Sequence, residues 1–321
     1  MHSDIHILAA CTDRKRLPVP NRLRLRSVSR NDTSSLARSW WSRLENNKIE
    51  TVVADNLYAG DHWSTIRKLP AIVEKRGLTS QSWVLSAGYG LVSVTSEIRP
   101  YSATFAGSYP DSVTKRVTKV VSRKVVLQTW WKEICAMRSA SVIKPRSISD
   151  LARRTPDSTF IVIASPDYVL ALEEDLLATF RVLKDKNQLI IISSNSTTLS
   201  QSLQDHIVPS TEPIQSIVGG ALGSLHARVA SLILRKRWDL RADALRERLR
   251  KIGAKSRSLR RYDRKRLADD EVIKFLRRGL KSSSSISCSA LLQQFRDSGF
   301  ACEQKRFHEL VWRVKESNHA S

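Results

Sequence analysis

The chain has 321 residues, of which 41% are hydrophobic, so it is long enough for one large domain or two ordinary ones and can bury a core. Its 54 Lys and Arg residues outnumber its 31 Asp and Glu residues, and the net charge of +23 favours polyanionic partners. No apolar run approaches the roughly 20 residues that cross a bilayer, and the first apolar run precedes its charged residues, which is the wrong polarity for a secretory signal.

The first two-thirds of the chain predicts strands that alternate with helices. Each predicted strand is a short run rich in Ile and Val, typical of strands buried on both faces of a parallel sheet. These strands cover residues 5–10, 50–54, 83–86, 160–164 and 189–193. The helices predicted between them cover residues 34–46, 64–75, 113–137 and 168–183. This order predicts an α/β fold over residues 1–225, a three-layer sandwich with a largely parallel sheet.

Residues 226–321 are predicted to form a basic α-helical region that binds nucleic acid. A helix over residues 220–235 is expected to pack on the sheet. Between Arg235 and Arg266 lie fifteen basic and four acidic residues, and this uneven placement indicates a phosphate-binding surface rather than general surface charge. The residues predicted to contact DNA are Arg235, Lys236, Arg237, Arg257, Arg260, Arg261, Lys265, Arg266, Lys305 and Arg306.

The end of the chain has a pattern of its own. A serine run, 282–285, predicts a flexible joint. Residues 287–317 then predict a helix, a Ser-Gly turn and a second helix, which resemble a helix-turn-helix unit. An ordinary helical hairpin that caps the main domain is the alternative. The residues at core spacing are Leu291, Leu292, Phe295, Phe300, Phe307, Leu310 and Val311.

The cysteines and short motifs exclude several chemistries. The four cysteines show no CxxC pairing, so we expect neither a zinc site nor a disulfide framework, and we expect the reducing cytoplasm. The sequence contains no P-loop, no Rossmann GxGxxG and no GxSxG elbow, and its seven histidines are scattered. We therefore expect no metal and no cofactor.

Four turns at the carboxyl ends of predicted strands are candidates for a site, because ligands of open α/β sheets bind there. The first turn, residues 11–15, contains Cys11 and Lys15, and it would otherwise be a charged surface loop. The second, residues 54–60, contains Asp55, Asn56 and Tyr58 and ends at Gly60; Asp61 follows. A ring that stacks on an extruded base, a polar group that holds water and a flexible glycine suit base flipping. A helix N-cap with a buried tyrosine is the alternative.

The third and fourth turns are also polar and aromatic. Residues 86–91, SAGYGL, contain Ser86 and Tyr89, and Tyr101 follows twelve residues after Tyr89. Residues 165–168 contain Ser165 and Tyr168, where Ser165 could equally be a helix cap. We predict substrate contacts from the residues of all four turns, namely Cys11, Lys15, Tyr58, Gly60, Ser86, Tyr89, Tyr101, Ser165 and Tyr168.

Over residues 5–200, these motifs resemble a bacterial family of unknown function. They are Cys11 with Lys15, the LYAG turn at 57–60, SAGYGL at 86–91 and the Pro-Tyr pair at 100–101. The turn ADNLYAG also resembles the water-activating motif of uracil-DNA glycosylases, Gly-Gln-Asp-Pro-Tyr-His-Gly. The resemblance places Asn56 at the catalytic Asp position, where some members of that superfamily carry Asn. Leu57 replaces the family's Pro, Asp55 replaces its Gln, and the second family motif, His-Pro-Ser-Pro, is missing.

The resemblance implies a uracil-DNA glycosylase-like fold and an anti-phage DNA glycosylase. Such an enzyme would flip out and excise a modified base, for example glucosylated hydroxymethylcytosine, from double-stranded phage DNA. Asn56 would position the water, and Asp55 or Asp61 would supply negative charge to an oxocarbenium-like sugar. No lysine is placed for Schiff-base chemistry, so hydrolysis alone is expected. The alternatives are an RNA base-exchanging transglycosylase or another modification enzyme, and a DNA-binding regulator without enzymatic activity.

Overall fold

In the computed structural model, which describes residues 4–137, 145–194, 199–255, 264–282 and 286–319, the chain forms two compact units. The first comprises Met1–Ser258 and the second Leu259–Ser321. Among the described residues, no single helix is long and apolar enough to cross a membrane. Two helical segments that meet at a bend, Glu212–Val218 and Leu222–Arg235, are together long and apolar enough, by length and composition only.

The first unit is built on a six-stranded sheet in the order β4-β3-β1-β6-β7-β8. All neighbouring strands are parallel except β3 and β4, which form an antiparallel hairpin. A separate antiparallel ribbon joins β2 to β5. The strands are β1 (Ile5–Ala10), β2 (Val52–Val53), β3 (Ser80–Ser86), β4 (Gly90–Ser93), β5 (Glu97–Ile98), β6 (Thr159–Ile163), β7 (Leu189–Ser193) and β8 (Ile207–Pro209).

Two groups of helices pack around this sheet. In one group α5 contacts both α1 and α7, and in the other α10 contacts α3, α4 and α9, while α11 packs against β8. The arrangement is α/β and is compatible with the predicted three-layer sandwich. The helices are α1 (Thr33–Glu45), α2 (Ala54–Leu57), α3 (Asp61–Ile66), α4 (Leu69–Glu74), α5 (Arg123–Met137), α6 (Ile148–Arg154), α7 (Pro166–Val182), α8 (Gln201–Gln204), α9 (Glu212–Val218), α10 (Leu225–Arg235) and α11 (Ala242–Lys255).

The order of the sheet reverses between β1 and β6. From β1 the chain moves outward to β3 and β4, and it then returns to the other side of β1 to form β6, β7 and β8. Helices on either side of such a point leave a crevice at the carboxyl ends of the two strands. The turns after β1, β3 and β6 all leave the sheet at this edge.

The run at 50–54 was expected to be a buried parallel strand, and this expectation was wrong. Only Val52 and Val53 are extended, and they pair with β5 outside the central sheet. Both valines are partly exposed, and the flanking Glu50 and Thr51 are exposed. Two apolar residues cannot fill a strand that is buried on both faces, so this segment forms a peripheral ribbon.

Two predicted helices are shorter than expected. The helix at 64–75 is divided into α3 and α4, and Pro70 lies in the first turn of α4, where its missing N–H costs no hydrogen bond. The helix at 113–137 begins as a regular α-helix only at Arg123, after a short 3-10 turn, Val113–Lys115. The helices predicted at 34–46 and 168–183 are confirmed within two residues at each end as α1 and α7.

The second unit has a small hydrophobic core of its own. Its elements are β9 (Lys265–Arg266), α12 (Asp269–Ser282), α13 (Cys288–Asp297), β10 (Phe300–Ala301) and α14 (Gln304–His319). All the predicted core residues of the 287–317 hairpin are buried except Phe300, which is half-buried and packs against the core. Of the serine run, 283–285 lie outside the described residues. The helices α10 and α11, which follow the predicted domain boundary at 225, pack on the first unit.

Candidate functional site

The turn after β1 and the turn after β2 are joined by backbone hydrogen bonds. The Arg16 N–H donates to the Leu57 carbonyl at 2.9 Å, and the Ala59 N–H donates to the Arg14 carbonyl at 3.0 Å. These bonds place Lys15 beside Tyr58. Gly60 has a φ of +89°, and a Cβ there would lie 3.2 Å from the Arg14 side chain. The close approach of the two turns therefore depends on glycine at this position.

Tyr101 is the centre of the hydrogen bonds among the turns. Its hydroxyl lies 2.6 Å from the Ser86 hydroxyl at the end of β3 and 3.0 Å from the Tyr58 hydroxyl. The Ser86 oxygen also accepts the N–H groups of Gly88, at 3.2 Å, and Tyr89, at 3.0 Å. One serine thus fixes both the SAGYGL turn and the Tyr101 hydroxyl.

Cys11 connects this group to the turn after β6. Its thiol lies 3.1 Å from the Tyr168 hydroxyl. We call the set Cys11, Lys15, Tyr58, Ser86, Tyr101 and Tyr168 the tyrosine cluster. Its members come from the turns after β1, β2, β3 and β6 and from the segment after β5, and they meet where the sheet order reverses.

Burial controls the ionisation of the tyrosines in the cluster. Tyr58 and Tyr101 are fully buried and Tyr168 is 5% exposed. Desolvation raises the pKa of all three hydroxyls well above the ordinary value. They are therefore neutral hydrogen-bond donors at physiological pH rather than anions.

The rings of these tyrosines are occupied by protein neighbours. Tyr58 stacks on Trp63 with 4.8 Å between ring centroids, and Phe105 meets the Tyr168 ring edge-on at the same separation. Tyr89 is half-buried, lies edge-on to Tyr101 at 5.1 Å, and accepts the Arg99 N–H with its hydroxyl. A flipped base was expected to stack on these rings. In this conformation neither Tyr58 nor Tyr101 has an exposed ring face on which a base could stack.

Lys15 is the amine of the cluster. Its Nζ donates to the Thr12 carbonyl at 3.0 Å and lies 4.8 Å from the centre of the Tyr101 ring. Desolvation lowers the pKa of Lys15, and the nearby Cys11, Asp13 and Asp111 oppose that effect only in part. The residue is half-buried.

The three residues predicted to be catalytic lie outside the cluster. The Asp55 carboxylate accepts from the Arg67 guanidinium at 3.1 Å, and Asn56 is exposed on α2. Asp61 forms a bidentate pair with Arg228 of α10. It lines a surface cavity of about 290 Å³ together with Lys68 and Arg235. Ser165 begins α7 without a side-chain cap bond and is half-buried near Tyr168.

The predicted DNA contacts fall at different places in the fold. Arg235, Lys236 and Arg237 are exposed at the end of α10, where the Arg237 side chain donates to the Lys75 carbonyl. Lys75 lies in the segment that leads from α4 to the amino end of β3, so Arg237 lies toward the edge of the sheet opposite the cluster. In the second unit, Lys265 and Arg266 are exposed, and Arg306 pairs with Asp269. Arg257, Arg260, Arg261 and the side chain of Lys305 lie outside the described residues.

Sequence reasoning missed a second polar group at the carboxyl edge. The Ser210 hydroxyl, just after β8, is hydrogen-bonded to the His226 ring of α10. His62 is buried beside Trp63, and its Nε2 has no hydrogen-bond partner among the described residues. Desolvation lowers the pKa of both histidines to about 4, so both are neutral at pH 7. The sequence shows no motif that links these histidines to other polar residues. Ser210 and His226 come together only when α10 packs in the folded chain.

Comparison with known protein families, curated proteins and solved structures gives no match to this chain. Among the described residues, no group of three or more His, Cys, Asp or Glu side chains could hold a metal ion.

Proposed function

We propose that this protein is a DNA glycosylase that excises a modified base from double-stranded phage DNA, in antiviral defence and in the cytoplasm. The observation that carries the proposal is the convergence of Cys11, Lys15, Tyr58, Ser86, Tyr101 and Tyr168 at the reversal of the sheet order. A polar network is costly to bury, and this one lies at the carboxyl edge of the sheet, where ligands of open α/β sheets bind. The uracil-DNA glycosylase-like fold belongs to the same proposal.

The neutral hydroxyls suit the departing base. Cleavage of the C–N bond leaves negative charge on the base, and donors aimed at that charge stabilise the transition state. Tyr101 and Tyr168 remain protonated because burial raises the pKa of their hydroxyls. In this mechanism they donate to the base, while their rings hold the hydroxyls in position.

The developing positive charge on the sugar needs a carboxylate or a dipole nearby. Asp55 and Asp61 are each paired with an arginine, which reduces the field that either can supply. Asp13 is exposed beside Lys15 and forms no ion pair among the described residues. Asp13 is therefore a third candidate for the electrostatic role, beside Asp55 and Asp61. Asn56 remains the predicted water-positioning residue.

The basic surface supports DNA as the substrate. Arg14 and Arg16 flank Lys15 in the turn after β1 and are exposed. In the second unit, a cavity of about 550 Å³ is lined by Arg264, Arg266, Arg296 and Arg306 with a single acidic residue, Glu303. Such surfaces bind phosphates and supply affinity without base recognition.

The test is incubation of the purified protein with plain, uracil-containing, hydroxymethylated and glucosylated phage DNA. Alkaline cleavage reports abasic sites, and mass spectrometry identifies a released base. We expect abasic sites in one modified DNA only, and loss of activity in Ser86→Ala. An accompanying loss in Asn56→Ala would support its role with water. Tight, salt-sensitive binding with every DNA intact would remove the glycosylase proposal in favour of a regulator, and base exchange into RNA would favour a transglycosylase.

A further inference from the structure

Lys15 differs from the other lysines of the first unit because it belongs to a buried polar cluster. Its Nζ lies 4.8 Å from the Tyr101 ring centre and 5.9 Å from the Tyr58 ring centre. Its Nζ donates to a neutral acceptor, the Thr12 carbonyl, and no carboxylate of the described residues forms an ion pair with it. By contrast, Lys124 and Lys184 are paired with Glu173 and Asp157.

The surroundings of Lys15 favour a reactive amine. A lysine becomes nucleophilic when desolvation increases the share of its unprotonated form. Burial acts in this direction on Lys15 and lowers its pKa. The residue as a whole is only half-buried, so the turn that carries it lies at the surface of the first unit.

We propose that Lys15 forms an imine with the C1′ aldehyde of the deoxyribose that base excision leaves in DNA. This inference rests on the proposed function, because that function generates the aldehyde. It adds a covalent step to an activity that the sequence alone indicated to be hydrolysis only. The amine and the aldehyde are the two reacting groups, and no metal or redox cofactor takes part.

The step balances without an external reactant. The lone pair of the neutral Lys15 amine forms a bond to C1′ of the ring-opened sugar, and the carbonyl oxygen receives a proton. The resulting carbinolamine loses that oxygen as water, so one amine and one aldehyde give one imine and one water. Water supplies and takes back the protons, because burial raises the pKa of the Tyr101 and Tyr168 hydroxyls and they keep their own. Addition of water reverses the step and frees the DNA.

The competing explanation is structural. An ammonium group over aromatic rings is attracted by their negative faces, and Lys15 would then only hold Tyr58 and Tyr101 together. That role needs a positive charge, which arginine also carries. The covalent role needs a primary amine, which arginine lacks. Lys15→Arg therefore separates the two explanations.

The experiment uses a duplex oligonucleotide with a single abasic site, prepared beforehand by excision of uracil with a separate enzyme. The full-length protein is mixed with this duplex, borohydride reduces any imine to a stable secondary amine, and peptide mass spectrometry locates the deoxyribose adduct. We expect the adduct on Lys15. We expect Lys15→Arg to lose this adduct while it keeps the thermal midpoint of the wild type. Lys184→Arg, a control in an exposed ion pair with Asp157, should trap as the wild type does.

The mapping of the wild-type adduct needs no variant, so a folding defect of Lys15→Arg cannot obscure the result. Adducts spread over exposed lysines, an adduct on the N-terminal amine, equal trapping by Lys15→Arg, or no adduct would each overturn the inference. Because the abasic site is supplied, trapping is independent of base excision. An adduct on Lys15 without base release from any DNA would refute the proposed excision alone, and base release without an adduct would refute the imine alone.

Discussion

The Cys11 thiol and the Tyr168 hydroxyl lie 3.1 Å apart, and this contact joins the carboxyl ends of β1 and β6. These two strands are the neighbours between which the sheet order reverses. Residues 157 positions apart in sequence thus meet at the edge where a doubly wound sheet opens.

Tyr168→Phe tests whether this contact serves activity. The variant removes one hydroxyl and keeps the ring that packs against Phe105. We expect loss of base release with a decrease of only about 0.5–1.5 kcal/mol in the free energy of unfolding, the usual net contribution of one hydrogen bond. Product formation in single-turnover assays and urea denaturation give the two quantities. Tyr109→Phe, at a 46% exposed tyrosine, is the matched control. Wild-type turnover in Tyr168→Phe would remove this hydroxyl from the mechanism.

Gly88→Ala tests the packing that positions Tyr101. A Cβ at Gly88 would lie 2.5 Å from two atoms of the Tyr101 ring, which is fully buried and cannot yield easily. We expect a decrease of about 1–3 kcal/mol in the free energy of unfolding, the range for overpacked cores. Tryptophan fluorescence during urea unfolding would report the unfolding of the first unit. The one tryptophan of the second unit, Trp312, is already 69% exposed, so its signal should change little. Gly223→Ala, where a Cβ meets open space, should unfold as the wild type does.

The sequence located the turns of the cluster, whereas the surroundings of each side chain depend on the folded chain. The strand-end turns could be located because apolar runs end there, and parallel strands bring their carboxyl ends to one edge. The role of each side chain could not be predicted in this way. The sequence around Tyr58 is equally consistent with an exposed ring and with the fully buried ring that the structure contains. Likewise, the pairing of Asp61 with Arg228 spans 167 positions and depends on how α10 packs against α3. The prediction of a longer strand at 50–54 was wrong for a local reason, because the residues before Val52 are polar and exposed.

Asp61→Asn tests the catalytic role that the sequence indicates for this residue. Asp61 is 43% exposed and paired with Arg228, and exposed pairs stabilise proteins by about 0–1 kcal/mol. We therefore expect a small change in the free energy of unfolding and base release close to that of the wild type. Single-turnover rates would decide the point. A loss on the order of 10²–10⁴ in rate, typical of acid–base groups, would instead restore Asp61 to the catalytic centre.

The buried histidines predict a loss of stability on mild acidification. Desolvation lowers the pKa of His62 and His226 from 6.5 to about 4. The unfolded chain therefore binds more protons than the folded one between these values, and the free energy of unfolding falls as the pH decreases from about 6.5 toward 4. Urea titrations across this range should show a shallower decrease for His226→Gln than for the wild type. An exposed control, His308→Gln, should retain the full pH dependence; identical slopes for both variants would contradict the argument.

Arg266 and Arg296 test the second unit as a DNA-binding element. Both side chains line the 550 Å³ cavity, and neither forms an ion pair among the described residues. Each phosphate contact that is lost should reduce the slope of log K against log salt by about 1. We expect such a reduction in Arg266→Gln and in Arg296→Gln, measured by fluorescence anisotropy on plain duplex DNA at several salt concentrations. Lys184→Gln is the control, since Lys184 is exposed, is paired with Asp157 and lies outside the predicted DNA-binding region. An unchanged slope in both cavity variants would mean that DNA affinity comes from the first unit, where the exposed cations at the end of α10 lie away from the tyrosine cluster.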